Sequence, residues 1–305
     1  MELVKLEPIV KDYIWGGTYF KSPTKGPNKT PVSECWELSR RGEDSSKIVS
    51  GPDCGKSLDE VIKDTDVGSI SAKYPDNYLP LLIKLIDAQQ NLSVQVHPCD
   101  KYAEEHENSF GKCEMWHIID ADEGSGLYVG LNRDYTRDEI EEALNNGTIL
   151  NCLNFYKVKP GDTFTIKPGT IHAIGKGVRL IEVQQNSDVT YRLYDYNRVD
   201  KNGNPRELHI KKALDVIDYH KYDEKKQVEI NSCIAGTDYF SVYRIDIDDE
   251  QIIEATKESF KSFTFLEGSG FVDDVEFNKY DTFFLPAGKK CLIKGKSTII
   301  VSVAK

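Results

Sequence analysis

The seven cysteines include no CxxC pair and are odd in number, so a disulfide framework is not the expected use of them. A reduced, cytosolic protein is the simpler expectation. Long apolar runs are also missing. The longest, LPLLIKLI at residues 79 to 86, is interrupted by Lys84 and is far too short to span a membrane. The opening stretch MELVKLEPIVKDYIWGG has neither the basic nor the apolar region of a secretion signal. Neither GxGxxG nor a P-loop pattern occurs, so no dinucleotide or P-loop nucleotide is implied. Positive charge is scarce: 39 Lys and Arg stand against 50 Asp and Glu, a net of -11. That balance excludes a broad electrostatic grip on nucleic acid or anionic lipid, both of which need a basic face. A small anionic ligand remains compatible, because it needs only a local cluster of Lys and Arg.

What is present reads as a folded chain of 305 residues, with 10% aromatic and 29% charged residues. Two domains are expected at this length. Most of the chain consists of short β-branched or aromatic segments separated by Gly, Pro, Asn and Asp, the pattern of a β sandwich or barrel. Helical signals are few. Ser57 with Glu60, and Thr136 with Glu139, fit the capping box, and after the second Ile140, Ala143 and Leu144 share a face before Gly147. A third helix is expected over 207 to 217, where Ile210, Ala213, Leu214 and Ile217 recur at helical spacing. The polar stretch DYHKYDEKKQ that follows resembles a linker, so a boundary is placed near residue 225, separating 1–225 from 226–305.

An internal similarity organises the rest. DTFTIKPGTIH at 162 to 172 aligns without a gap to DTFFLPAGKKC at 281 to 291, each with the shape of strand, Pro/Gly turn and returning strand. This shape resembles the second motif of the cupin jelly roll, whose last position is a metal-binding histidine. The first copy ends in His172 and the second in Cys291. The expected fold is therefore mainly β, with two cupin-like jelly-roll β-barrel domains and a few short helices. The larger domain is expected to hold a metal site, and the smaller to have lost it.

Three segments carry candidate chemistry. Strand alternation in LSVQVHP puts Ser93, Gln95 and His97 on one face, and in GKCEMWHII it groups Lys112, Glu114 and Trp116. His97, Glu114 and His172 are then three candidate ligands from three strands, suited to zinc, and Gln95 can supply a neutral fourth oxygen. Two neutral imidazoles, one carboxylate and one amide would leave a divalent site at about +1, which favours an oxyanion or a sugar hydroxyl. His106, His117, His209 and His220 lack such company and read as solvated or structural. In LIEVQQNSDVTYRLYDYNR, Glu182 and Arg192 are charges set among apolar neighbours. They fit either an ion pair bracing adjacent strands or a general base and an anion clamp in a barrel mouth.

QVHP, the GKxExW run, PGTIHAIG and the EVQQNSDVTYRLYDYNR run occur here in one order. In this the chain closely resembles the short bacterial type I phosphomannose isomerases, from about LEPIVKDYIWGG to KKALDVI. The resemblance implies one Zn2+ per chain at Gln95, His97, Glu114 and His172. It also implies sugar and phosphate contacts near Ser93, Lys112 and Arg192, with Glu182 beside the substrate. Catalytic roles would fall to Arg192, Glu182 and Lys112, in an exchange of mannose 6-phosphate and fructose 6-phosphate through an enediol. Lys84 and Arg198 could add positive charge without a definite place. The usual first cupin HxH is here Gln95 followed by His97, and Lys167 and Lys176 stand where cupins often have Pro and Asn. The change at Gln95 argues away from the redox cupins, which commonly surround iron with three His and one Glu. An iron-dependent oxygenase and a sugar-binding module without turnover are the competing readings.

Overall fold

The computed structural model describes residues 1–20, 32–199, 203–223 and 232–305. The chain is mainly β, and its described strands form four antiparallel sheets. A six-stranded sheet runs Thr163–Ile166, Glu114–Ala121, Val178–Gln185, Leu81–Ala88, Glu34–Leu38 and Ile9–Lys11. A five-stranded sheet runs Tyr191–Tyr194, Val94–Val96, His172–Ile174, Gly126–Leu131 and Leu153–Lys157. Between them lies one apolar cluster that includes Trp116, Phe164 and Leu180 from the first sheet and Leu127, Val129 and Ile174 from the second.

The strand Leu81–Ala88 is buried on both faces, which is why it reads as a run rather than an alternation. Ile86 and Ala88 join the cluster between the two sheets, whereas Leu81, Ile83 and Leu85 point the other way. There they meet Ile181 and Val183 and, from the carboxy-terminal part of the chain, Val242, Phe284 and Ile300. The six-stranded sheet is thus a shared middle layer.

The outer face of the five-stranded sheet is covered by helices. Val94 and Val96 pack with Ile140 and Ala143 of the helix Arg137–Asn145 and with Ala213 and Leu214 of the helix Ile210–Val216. That leaves the alternate residues Ser93 and Gln95 to face inward. Both capping boxes have their expected donors: Ser57 N–H donates to Glu60 Oε2 at 2.7 Å and Thr136 N–H to Glu139 Oε2 at 2.8 Å. Two helices had no sequence signal, Asp64–Val67 and Asp100–Glu107. The second buries only Ala103, so it has no apolar stripe to announce it. The expected helix over 207 to 217 starts late, at Ile210, because His209 N–H donates to the carbonyl of Arg192 and ties this end of the segment to the strand Tyr191–Tyr194.

Carboxy-terminal strands make up most of a seven-stranded sheet and all of a four-stranded one. Their interior is apolar, with Phe263, Phe265, Phe277 and Phe283 in mutual contact and Cys291 3% exposed among them. The strand Val4–Glu7 belongs to this seven-stranded sheet, pairing Val4 with Phe284 and Leu6 with Thr282. Sheet membership therefore does not follow chain position, and the boundary near 225 lies outside the described residues. Of the linker-like stretch, Tyr222 is docked: its N–H donates to Leu131 O at 2.9 Å, and its ring fills the space a Cβ on Gly130 would need. Gly130 also holds φ +68°, the left-handed conformation that lets the strand bulge and turn Leu131 to the outer face. No helix among the described residues is long and apolar enough to cross a membrane.

Phe284 is fully buried in the layer between the six- and seven-stranded sheets, whereas Phe271 is 51% exposed. Phe284→Ala is expected to lower the unfolding free energy by about 3–5 kcal/mol, and Phe271→Ala by less than about 1 kcal/mol, in denaturant titrations.

Candidate active site

The register of the two facing sheets brings the distant segments together. Gln95 pairs with both His172 and Arg192, so three motifs meet on adjacent strands. On the opposite sheet Gln184 pairs with Glu114, and Glu182 with Trp116 and Lys84. Glu114 Oε2 lies 3.5 Å from His97 Nε2, and Oε1 lies 3.3 Å from His172 Nε2. Gln95 Nε2 is 3.3 Å from His172 Nε2, and a half-turn of that amide brings its oxygen to the same place. Among the described residues His97, Glu114 and His172 form the cluster of close, potentially metal-ligating side chains, their ligand atoms all within 4.8 Å of one another.

The two imidazoles are oriented from behind. His97 Nδ1 donates to Val189 O at 3.0 Å and His172 Nδ1 to Thr170 O at 2.8 Å, so each Nε2 presents a lone pair to Glu114. Burial pushes the His97 imidazolium down to about 3, with Lys112 adding to the effect, and burial likewise lowers His172. Both rings are neutral near pH 7. For Glu114 burial alone would raise the pKa, but Lys112, His97 and His172 together outweigh it and hold the group ionised. Lys112 Nζ stands 3.1 Å from Glu114 Oε2. Glu114 Oε1, Glu114 Oε2 and His97 Nε2 are nevertheless fully buried atoms without a hydrogen-bond partner. Such atoms are costly unless something coordinates them. Two imidazole nitrogens and a carboxylate, all aimed inward, are a donor set that accepts a divalent cation.

A cavity of about 410 Å3 opens beside this cluster. Ser93, Gln95, Lys112, Glu182 and Arg192, all singled out in the sequence, contribute to its wall. His97, Glu114 and His172 lie behind that wall, at 1% exposure or less. Lys84 also lines the cavity, whereas Arg198 is tied to Asp195 and to Asn91 O and does not. Other residues of the wall were not singled out in the sequence, among them Glu34, Trp36, Asp188 and Arg206. Lys84 in the middle of an apolar run requires a buried counter-charge, a signal that some carboxylate lies opposite without naming Glu34. Lys84 Nζ sits 3.2 Å from Glu182 Oε1 and 3.5 Å from Glu34 Oε2. Burial would lower the Lys84 ammonium, but Glu34, Glu182 and Glu114 reverse this and raise it. Trp116 Nε1 donates to Glu182 Oε2 at 2.8 Å, and Trp36 Nε1 donates to Glu34 Oε2 at 2.6 Å. Burial and the nearby Glu114 raise the Glu182 carboxyl. Counting the wall, four cations (Lys84, Lys112, Arg192, Arg206) face three anions (Glu34, Glu182, Asp188) in a chain of net charge -11, so the cavity is locally poised for an anion.

The remaining histidines lie elsewhere. His106, His209 and His220 do not line the cavity. His117 is 3% exposed on the reverse of the strand that carries Glu114, its Nδ1 2.8 Å from Thr163 Oγ1. Burial, then Arg244, push it down to about 4 against a weaker pull from Asp162. Its folded-state pKa lies below the unfolded value near 6.5, so the unfolded chain takes up the proton first. The stability linked to His117 is therefore present above about pH 6.5 and is lost as pH falls towards 4. Between pH 7 and pH 5 the native chain is expected to lose about 2 kcal/mol more unfolding free energy than His117→Gln, measured by urea titration at each pH.

Comparison with known proteins adds a lineage to this geometry. Residues 3–124 match the family model described as phosphomannose isomerase type I, catalytic domain. A Bacillus subtilis protein named probable mannose-6-phosphate isomerase GmuF is 38% identical over 299 residues, covering 92% of each chain. The mannose-6-phosphate isomerase ManA of the same organism is 36% identical over 97% of each chain. A crystal structure of the mannose 6-phosphate isomerase from Bacillus subtilis superposes with a TM-score of 0.84 at 35% identity, covering 99% of both chains.

Proposed function

The chain belongs to the type I phosphomannose isomerase family, and we propose that it interconverts mannose 6-phosphate and fructose 6-phosphate in the cavity between its five- and six-stranded sheets. The observation that carries the reading is the set of buried, partnerless donor atoms on His97 and Glu114, with His172 beside them, at the wall of an anion-suited cavity. His97, Glu114, His172 and the oxygen of Gln95 would hold one zinc ion, for which nitrogen and carboxylate donors are suited. Bound there, zinc would supply Lewis acidity to the carbonyl and hydroxyl oxygens at C1 and C2 of the sugar.

The chain's own residues supply the rest. An aldose and a ketose that share an enediol differ by a proton moved from C2 to C1 and a hydroxyl proton moved from O2 to O1; a single base that takes and returns the first suffices for the carbon step, and water relays the second between the adjacent oxygens. Glu182 is that base in this proposal. Its carboxylate lines the cavity, burial raises its proton affinity, and Trp116 and Lys84 fix one oxygen each. Lys112, buried beside Glu114, stabilises negative charge that develops on the sugar oxygens. Ser93 and Arg192, on the five-stranded sheet, are placed to bind hydroxyl and phosphate groups.

Protein purified without added metal should contain about one zinc per chain, read by elemental analysis. His97→Ala, Glu114→Ala and His172→Ala should each lose the metal together with the isomerase activity, whereas Cys291→Ser should keep both. Full metal occupancy in His172→Ala would sink the ligand assignment.

Glu182→Gln preserves shape while removing the base. It should retain metal and a near-normal KM but lower kcat by roughly 10²-fold or more. In heavy water the native reaction should place solvent deuterium in the product. An undiminished rate in Glu182→Gln would exclude this residue as the proton carrier.

A further inference from the structure

The outer end of the cavity carries two guanidinium groups, Arg192 and Arg206. Backbone pairing brings them to one wall. Arg192 N–H donates to His209 Nδ1 at 3.2 Å, His209 N–H donates to Arg192 O at 2.8 Å, and Arg192 Nη1 donates to Glu207 O at 2.7 Å. The segment that steadies Arg192 therefore delivers its own preceding residue, Arg206, to the same place. Asp195 holds Arg206 as a fork, accepting from Nε at 2.7 Å and from Nη2 at 2.5 Å, and it also pairs with Arg198.

One carboxylate thus pairs with two guanidinium groups, Arg206 and Arg198, with Arg192 as a third nearby, which leaves about two positive charges to be met from elsewhere. Glu207 does not meet them, being 83% exposed with its carboxylate nearest His209. Arg192 Nε is buried and has no partner, and burial and then Arg206 push the Arg192 guanidinium below its ordinary range. Two cations pressed together around an unmatched donor are what a dianion would relieve.

We propose that Arg206 determines specificity for the phosphorylated sugar: with Arg192 it forms a two-guanidinium clamp on the phosphoryl group, and Asp195 is the positioning residue that keeps the fork of Arg206 in place. The identity of the ligand rests on the isomerase reading above. The geometry of the clamp does not.

The test uses the metal-loaded full chain and Arg206→Gln, with inorganic phosphate as the probe in calorimetry and mannose 6-phosphate in kinetics. Losing one charge-assisted fork should raise the phosphate Kd roughly 10-fold or more, and should raise KM for mannose 6-phosphate by a similar factor with kcat held. Arg206→Lys should recover part of the loss. Arg133→Gln, which removes a surface guanidinium paired with Glu139, should change neither. An unchanged phosphate Kd in Arg206→Gln overturns the clamp, and so does a fall in kcat at constant KM. A native chain that binds phosphate but converts no mannose 6-phosphate sinks the isomerase reading, while the comparison of phosphate Kd values still decides on Arg206.

Discussion

The constraint on which the site depends is the burial of Glu114. A carboxylate at 0% exposure loses its hydration, and the surrounding protein has to replace what water supplied. Lys112, at 3.1 Å, and the nearby His97 and His172 return part of it and hold the group ionised, but neither Nδ1 can donate to it, because each gives its proton to a backbone carbonyl. The carboxylate is therefore ionised yet incompletely satisfied, facing two lone pairs. That combination is unstable as a hydrogen-bonded network and well formed as a cation cage. The second cluster, Glu34–Lys84–Glu182, obeys the same rule with a different answer: its lysine is the cation, supplied by the chain itself.

Both clusters depend on strands of the middle layer. Leu81–Ala88 and Val178–Gln185 offer one face to the cavity and the other to the carboxy-terminal sheet. Lys84 and Glu182 can be held rigidly because their neighbours Ile83, Leu85, Ile181 and Val183 are locked into the second layer. In the carboxy-terminal half the corresponding interior is filled with phenylalanine, and Cys291, at the alignment position of His172, is pushed up to about 12 by that apolar surrounding. A thiol there is a small apolar filler.

Much of this was legible in the sequence. Short β-rich segments and turn residues marked the β class, alternation in LSVQVHP and GKCEMWHII assigned the inward faces, and the repeat drew attention to His172. Periodicity could not show what lies opposite. In ECWEL all five residues of the strand are buried, so nothing marked Glu34 as the one that reaches Lys84. Arg206 was hidden differently. It follows a turn, and its place on the cavity wall depends on a backbone pairing between Arg192 and His209 that displaces the first residues of an apparently helical stretch. Asp100–Glu107 was missed because a helix that buries one alanine has no stripe to read.

The strand Val4–Glu7 has its hydrogen-bonding partner at Thr282–Leu285. One edge of that strand can be met early, by Lys47–Ile48, whereas the other waits until residues 282–285 are made. Its apolar residues Val4 and Leu6, buried in the folded protein, lack their carboxy-terminal neighbours until then. The six- and five-stranded sheets can assemble earlier, from residues already released. The seven-stranded sheet is completed by pairing segments far apart in the chain. That pairing is the most distant in sequence among the described strands, and a loop of that length carries a large closure entropy.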